Sequence, residues 1–306
     1  ISALLHVVVE TDMSPLVVVQ QISTGAGTLV LLALPFFLLA GEIMNTAGIT
    51  KRLTRFALAL IGPLPGGLSY VVVVANVLVA MVSGAAIASA AAVGSTMVPM
   101  MEKHGYPRGY AAALNAAAAT IGPVIPPSIG FIIYASVSGV SVGKLFLAGT
   151  VPGLLMALSM MVCCALIAGK AGHPRGARHS ARELRESFLG ALPGLIMPAL
   201  VLGGIFGGLV TPTEAGVIAV AYGLMVGFLV HRTLRWRDLP TVFLVTARRS
   251  ASILFLIACA SCFGFLVTRE VEGAIFVDFF QGVTSQRWLM LLLVTSFVLV
   301  LGTVME

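Results

Sequence analysis

The chain has 306 residues, of which 58% are hydrophobic and 10% charged. Soluble domains carry roughly 25% charged residues, so this composition excludes a water-facing globular surface, and continuous rather than alternating apolar runs exclude barrel strands and leave membrane helices. The net charge of +6 does not point to nucleic acid, because the basic residues lie in short loops between apolar runs, the pattern of cytoplasmic loops in membrane proteins.

In chain order, Ile1–Val9 reads as the end of a spanning helix and Glu10–Pro15 as a turn. Leu16–Ala26 is a short, partly polar helix, and Leu29–Met44 is a strong apolar segment containing Pro35 and closing at Asn45–Gly48. Ile49–Ile61 mixes Lys51, Arg52 and Arg55 with Leu53, Phe56, Leu58 and Leu60, the amphipathic pattern of a helix lying in the interface. After the breaker at Gly62–Gly67 comes the apolar run Leu68–Val82, then Ser83–Ser95, rich in Gly, Ala and Ser.

Gly109–Ile121 is a helix of small residues carrying Asn115, interrupted by Gly122–Ser128 and followed by the short helix Ile129–Ser138. Lys144–Ala168, Phe188–Gly208, Val217–Val230 and a segment within Leu239–Thr268 are spans. Gly169–Arg185 is the longest polar loop, and Thr211–Gly216 is a turn and helix start. Arg269–Gln281 is a second amphipathic segment, now acidic through Glu270, Glu272 and Asp278, and Trp288–Leu301 is the final apolar run. Both ends fall inside or directly beside apolar runs, so a longer chain is expected.

The basic loops Lys170–Arg185 and His231–Arg237 are both expected to be cytoplasmic, separated by two spans. The region near Phe56 echoes the region near Phe276: each has an amphipathic arm ending in Gly, a breaker and an apolar run. The first arm is basic and the second acidic, so the two take opposite orientations, as in the inverted repeats of secondary transporters.

Two segments carry candidate chemistry. Ser83–Ser95 reads either as the tip of a re-entrant hairpin, with free carbonyls and helix N-termini, or as a small-residue packing face. In Gly122–Ser128, Pro123, Pro126 and Pro127 remove three backbone donors and prevent a regular helix. Its exposed carbonyls are hard oxygen ligands suited to Na⁺, with the hydroxyls of Ser83 and Ser128 as additions, or the segment is a proline kink without a ligand. Asn76 and Asn115 orient a hairpin, contact substrate or hydrogen-bond between helices. Glu42 reads as solvated or interfacial and Glu214 as a helix cap. The pair Cys259 and Cys262 imitates a metal or redox spacing, but no histidine or second pair lies nearby and small packing residues explain it. No acidic or histidine pair has the spacing of a hydrolase or a zinc site, so neither an enzyme nor a cofactor is expected.

Phe37–Asn45, Ser83–Ala92, Gly105–Pro107, Thr120–Ser128, Phe146–Gly149 and Thr211–Ala215 together resemble the large membrane (M) subunit of tripartite ATP-independent periplasmic transporters, in order and across the whole chain. The resemblance implies an all-α integral membrane protein of inverted-repeat, elevator type in the bacterial inner membrane. It implies a Na⁺-coupled importer of organic acids such as C4-dicarboxylates or sialic acid, with a soluble periplasmic binding protein and a small four-helix membrane subunit as partners. It further implies scaffold helices over 1–48 and 141–268, a cytoplasmic-side arm over 49–61 and an outer-side arm over 269–283. The first half of the transport domain would occupy 62–140, with a re-entrant hairpin over about 68–101 and a broken helix over 109–139, and 284–306 would begin a second hairpin. The first Na⁺ site would use Ser83 with the carbonyls of Gly122, Ile125 and Pro127. Substrate would lie near Ser83, Gly84, Ala85, Ala86, Pro126, Pro127 and Ser128. The family often has a polar residue near Ala80 or Ala85 and an acidic one at Ser89, so ligands at the tip are expected from the backbone. A channel or another ion-coupled carboxylate transporter is the competing reading.

Overall fold

The computed structural model describes residues 2–10, 13–171, 173, 180–270, 282 and 286–304. All regular structure among them is helical. Five helical stretches are long and apolar enough to cross a membrane: Leu29–Thr46, Val142–Lys170, Ala181–Phe206, Pro212–Val230 and Trp236–Arg269. Large apolar side chains cover their outer faces, including Leu147, Val151, Leu154, Leu158 and Leu166 on a single helix. That much exposed apolar surface suits lipid rather than water.

The chain forms two compact units, Gly27–Phe255 and Ile1–Ala26 with Leu256–Glu306. The smaller holds α1 (Ser2–Glu10), α2 (Leu16–Ala26), the end of α12 (Leu239–Glu270) and α13 (Arg287–Val304). Val7, Val18, Cys262 and Leu266 make its buried cluster, which gives Cys262 the packing role expected of it. The second amphipathic arm and the breaker after it fall mostly outside the described residues, and with them the second half of the internal echo.

The larger unit begins with a 3₁₀ turn, Leu29–Leu32, leading into α3 (Ala33–Thr46). It continues through α4 (Ile49–Ile61), α5 (Gly67–Ser83), α6 (Ala86–Lys103), α7 (Arg108–Ala119), α8 (Ile129–Ser138), α9 (Val142–Ala171), α10 (Ala181–Phe206) and α11 (Pro212–Met225), and reaches the start of α12 after a π turn at Val226–Val230. Glycines set the closest helix crossings. On α11, Gly216 faces Phe36 and Gly223 faces Ile43 and Met44, laying α11 along α3. On α10, Gly194 faces Ile49 and Leu53 of the basic arm α4, and Phe56 meets Phe188 with ring centroids 5.5 Å apart. These are the small-residue contacts expected where helices pack without a hydrophobic driving force.

Helix α10 starts earlier than expected. Ser180 and Glu183 form a capping box, Ser180 Oγ accepting from Glu183 N and the Glu183 carboxylate accepting from Ser180 N. Arg182 and Glu186 add an i,i+4 ion pair at 2.9 Å. Arg182 and Arg185 are therefore helical, and the polar loop ends by Ser180.

Several basic segments share one end of this unit. Thr233 Oγ1 donates to the Ala47 carbonyl at 2.8 Å, and Gly227 closes on Leu234 and Ala47. His173 packs beside Tyr106 and Tyr110, with ring centroids 4.4 and 5.1 Å away. At the opposite end, Thr213 Oγ1 donates to the Leu29 carbonyl and Gly143 sits against Ile205.

Candidate functional site

The two interruptions singled out in the sequence meet in space. The first is two residues long: α5 ends at Ser83 and α6 begins at Ala86, so Ala86–Ser95 is regular helix. The interruption is thus confined to Gly84 and Ala85, and the small-residue run beyond it is helical. The chain turns at Gly84–Ala85, and the small residues beyond form a packing face, with Ser89 buried and Gly94 against the Asn115 amide.

Gly84 has φ +62°, in the left-handed region that only glycine enters without penalty. A Cβ there would lie 2.8 Å from the Pro127 carbonyl oxygen. A Cβ on Gly122 would meet Ala80 Cβ and Ala86 N, each at 3.4 Å. The tip therefore rests on the proline break at both of its ends. Gly41 of α3 completes the contact, a Cβ there falling 3.1 Å from Ser83 Cα.

The break itself, between α7 and α8, contains a cis Pro126–Pro127 bond. Ser128 is fully buried; its Oγ donates to the Pro123 carbonyl and accepts from Phe131 N as the cap of α8. Gly149 and Gly153, four residues apart on α9, receive Val124, Phe131 and Ile125 from the break. Irregular backbone is thus packed between helices, as it must be where water is scarce.

The buried amides tie three helices together. Asn76 Nδ2 donates to the Val72 carbonyl at 2.9 Å and to Asn115 Oδ1 at 3.1 Å. Asn115 Nδ2 donates to the Ala90 carbonyl at 2.8 Å. Of the roles open to these residues, the structure displays interhelical bonding, fixing α5, α6 and α7 around the tip.

Several oxygen acceptors remain over. Ser83 Oγ is buried with no hydrogen-bond partner. Among the described residues no donor reaches the carbonyl oxygens of Gly122, Ile125 or Pro127. A buried polar group without a partner costs about 1–3 kcal/mol, so this group of oxygens suits a ligand that supplies positive charge. Ala85 gives α6 no capping side chain, leaving the first N–H groups of that helix beside the same turn.

A cavity of about 460 Å³ opens along the tip, lined by Ser83 and Ala85, the small residues of α6, the end of α3 and the start of α4. Glu42 lies inside α3, 22% exposed, and accepts from Arg249 Nη1 at 2.9 Å. It is a partly exposed ion-pair partner on the cavity wall. Glu214 meets expectation: its carboxylate accepts from Thr211 N at 2.7 Å in a capping box. Near the arm, burial and then the charge of Arg52 hold the His231 imidazole below its ordinary value, and burial lowers the Arg52 guanidinium.

Gly153 and Arg249 were not singled out in the sequence, and Gly41 and Gly149 stand there only as members of the family motifs. The Gly149–Gly153 spacing is a small-residue packing signature, and an arginine within the apolar segment Leu239–Thr268 is itself a signal. The partner of each is visible only in the folded chain.

The family model for the tripartite ATP-independent periplasmic transporter, DctM component, matches residues 1–306. The chain is 37% identical over 290 residues to the 2,3-diketo-L-gulonate TRAP transporter large permease protein YiaN of Escherichia coli, covering 95% of this chain and 68% of that protein. It is 37% identical over 287 residues to the sialic acid TRAP transporter large permease protein SiaM of Vibrio cholerae, covering 94% and 67%. It is 40% identical over 276 residues to the C4-dicarboxylate TRAP transporter large permease protein DctM of Pseudomonas aeruginosa, covering 90% and 65%. The chain thus spans about two thirds of the length of these relatives. It belongs to the DctM family, the multi-pass large permeases of tripartite ATP-independent periplasmic transporters.

Proposed function

We propose that this chain forms the greater part of a Na⁺-coupled permease that imports organic acids across the bacterial inner membrane. One observation carries the reading: the tip at Gly84 meets the break at Pro127 beside a buried, unpartnered Ser83 hydroxyl and three unused carbonyls. Unwound carbonyls at helix breaks are how secondary transporters hold Na⁺, while helix N-termini face the anionic group of the substrate. Ser83 and the carbonyls of Gly122, Ile125 and Pro127 take the ion, and Ser83, Gly84, Ala85, Ala86, Pro126, Pro127 and Ser128 border the substrate. The Ser128 hydroxyl is committed to its cap and to Pro123, so its contribution comes through position and backbone.

Depth supports the same reading. At 1.5 Å per residue α7 is about 18 Å long and α8 about 15 Å, which puts the break near the middle of a hydrocarbon core of about 30 Å. Residues 62–140 then move as the first half of a transport domain, with the tip as a re-entrant hairpin. The helices of 1–48 and 141–268 act as scaffold, the arm at 49–61 connects scaffold and transport domain, and Arg287–Val304 opens the second hairpin. The basic end faces the cytoplasm. The full-length permease works with a small four-helix subunit and a periplasmic binding protein, and the sugar acids and dicarboxylate in its relatives' names make a carboxylate the substrate class.

The test is uptake into proteoliposomes by the full-length complex with the binding protein outside. Labelled succinate or N-acetylneuraminate is expected to accumulate with an inward Na⁺ gradient and not with choline in its place. Accumulation that ignores Na⁺ removes the ion assignment, and non-saturating conductance without the binding protein favours a channel.

A further inference from the structure

The cavity beside the tip carries charges that the tip and the break do not use. Its volume of about 460 Å³ falls within the range of about 300–1,000 Å³ of small-molecule pockets. Its wall includes two cationic residues, Lys51 and Arg249, one anionic residue, Glu42, and, at the tip, Ser83. Arg249 Nη1 donates to Glu42 Oε2 at 2.9 Å, with side-chain exposures of 54% and 22%. A guanidinium has five N–H donors in a fixed fork suited to carboxylates, so one bond to Glu42 leaves donors for a second acceptor. Lys51 has no ion-pair or hydrogen-bond partner among the described residues. The wall therefore carries one more positive than negative group.

We propose that Lys51 and Arg249 form a carboxylate subsite on the exit side of the tip, where Glu42 competes with the ligand for Arg249. A carboxylate leaving Ser83 enters this cavity, accepts from the ammonium of Lys51 and the spare donors of Arg249, and displaces Glu42 in part. The competition keeps the stop shallow, because a transported ligand must be held firmly enough to enter and loosely enough to leave. The subsite rests on the carboxylate-import reading above and adds the next station on the path.

The test uses the full-length complex in proteoliposomes with the binding protein outside, preloaded with graded succinate or N-acetylneuraminate. Internal acid is expected to inhibit import by filling the subsite. The ratio of its half-inhibiting concentration to the external KM should rise at least tenfold in Lys51→Gln with Arg249→Gln, stay within threefold of the unaltered complex in Arg249→Lys, and fall severalfold in Glu42→Gln. Arg182→Gln, at the exposed Arg182–Glu186 pair, is the charge control and should shift the ratio less than twofold. A ratio that ignores the double substitution, or that rises in Glu42→Gln, overturns the subsite while leaving carboxylate import standing. Import of neither acid by the unaltered complex overturns the import reading and the subsite together. If the double variant is not recovered as a folded complex, Glu42→Gln decides the question: a fall in the ratio is expected, and an unchanged or raised ratio overturns the subsite.

Discussion

The two interruptions at the centre of the larger unit are built in opposite ways. At the break before α8, Ser128 caps the helix it precedes and donates back to Pro123, so the local side-chain groups are satisfied from within. At the tip before α6, Ala85 offers no cap and the neighbouring Ser83 hydroxyl is buried without a partner. The break has its side-chain groups satisfied and sets its Pro127 carbonyl beside Gly84, whereas the tip leaves a side-chain hydroxyl unsatisfied. Two serines of similar appearance in sequence thus differ: Ser128 is committed to local structure, while the Ser83 hydroxyl is buried and unpartnered.

The largest expected effect comes from destroying the contact between the two. Gly84→Val places a β-branched residue at positive φ, costing about 1–2 kcal/mol from backbone sterics alone, and drives its Cβ toward the Pro127 carbonyl. Uptake should fall more than tenfold, measured as initial rate per folded complex. A variant with normal uptake would show that tip and break need not touch.

Next in size is the amide bridge that carries the tip. Asn115→Ala leaves one Asn76 donor without a partner and removes the side-chain bond to the Ala90 carbonyl. A buried polar group so stranded costs about 1–3 kcal/mol, so the thermal midpoint in detergent should drop by several degrees. An unchanged midpoint would mean that α6 and α7 are held by packing alone.

The serine comparison is sharpened by two alanines. Ser128→Ala loses a cap, a change that costs about 1 kcal/mol, so stability should fall while the Na⁺ concentration for half-maximal uptake shifts little. Ser83→Ala removes a hydroxyl with no hydrogen bond, so stability should hold or rise while the half-maximal Na⁺ concentration increases severalfold. Reversal of this pattern would exchange the roles of the two serines.

How much of this could be read beforehand depends on where the cause lies. Pro123, Pro126 and Pro127 crowd three missing donors into one short stretch beside Gly122, and Gly84 beside Ser83 marks a turn after a long apolar run, so both interruptions are evident in the sequence. The capping box at Ser180 and Glu183 was equally local, yet the density of arginines there drew the loop too far. Gly41, Gly149 and Gly153 matter only because distant segments close on them, and the pairing of Glu42 with Arg249 joins α3 to α12. Contacts between residues far apart in sequence leave no local mark, so the family resemblance, rather than periodicity, was what joined the tip to the break in advance.

The smallest effect separates the two interruptions from the basic end of the same unit. Residues 83–86 and 122–128 hold no ionisable side chain, so mild acid should leave the tip and the break unchanged. His231 differs: burial, followed by the nearby Arg52 charge, lowers its affinity for a proton in the folded chain. The unfolded chain then binds the proton more readily, so this contribution to stability is present above the unfolded value near 6.5 and is lost as pH falls through the lower folded value. Thermal midpoints measured from pH 7.5 down to 5 should decline, and His231→Asn should flatten the part of the decline due to this residue. Because Thr233 and Leu234 just beyond His231 hold the turn before α4 through Ala47, protonation should loosen the mounting of the arm before it disturbs the tip and the break. Uptake at saturating Na⁺ should therefore slow in acid without a matching rise in the half-maximal Na⁺ concentration, whereas a parallel rise would show that the effect of acid reaches the interruptions.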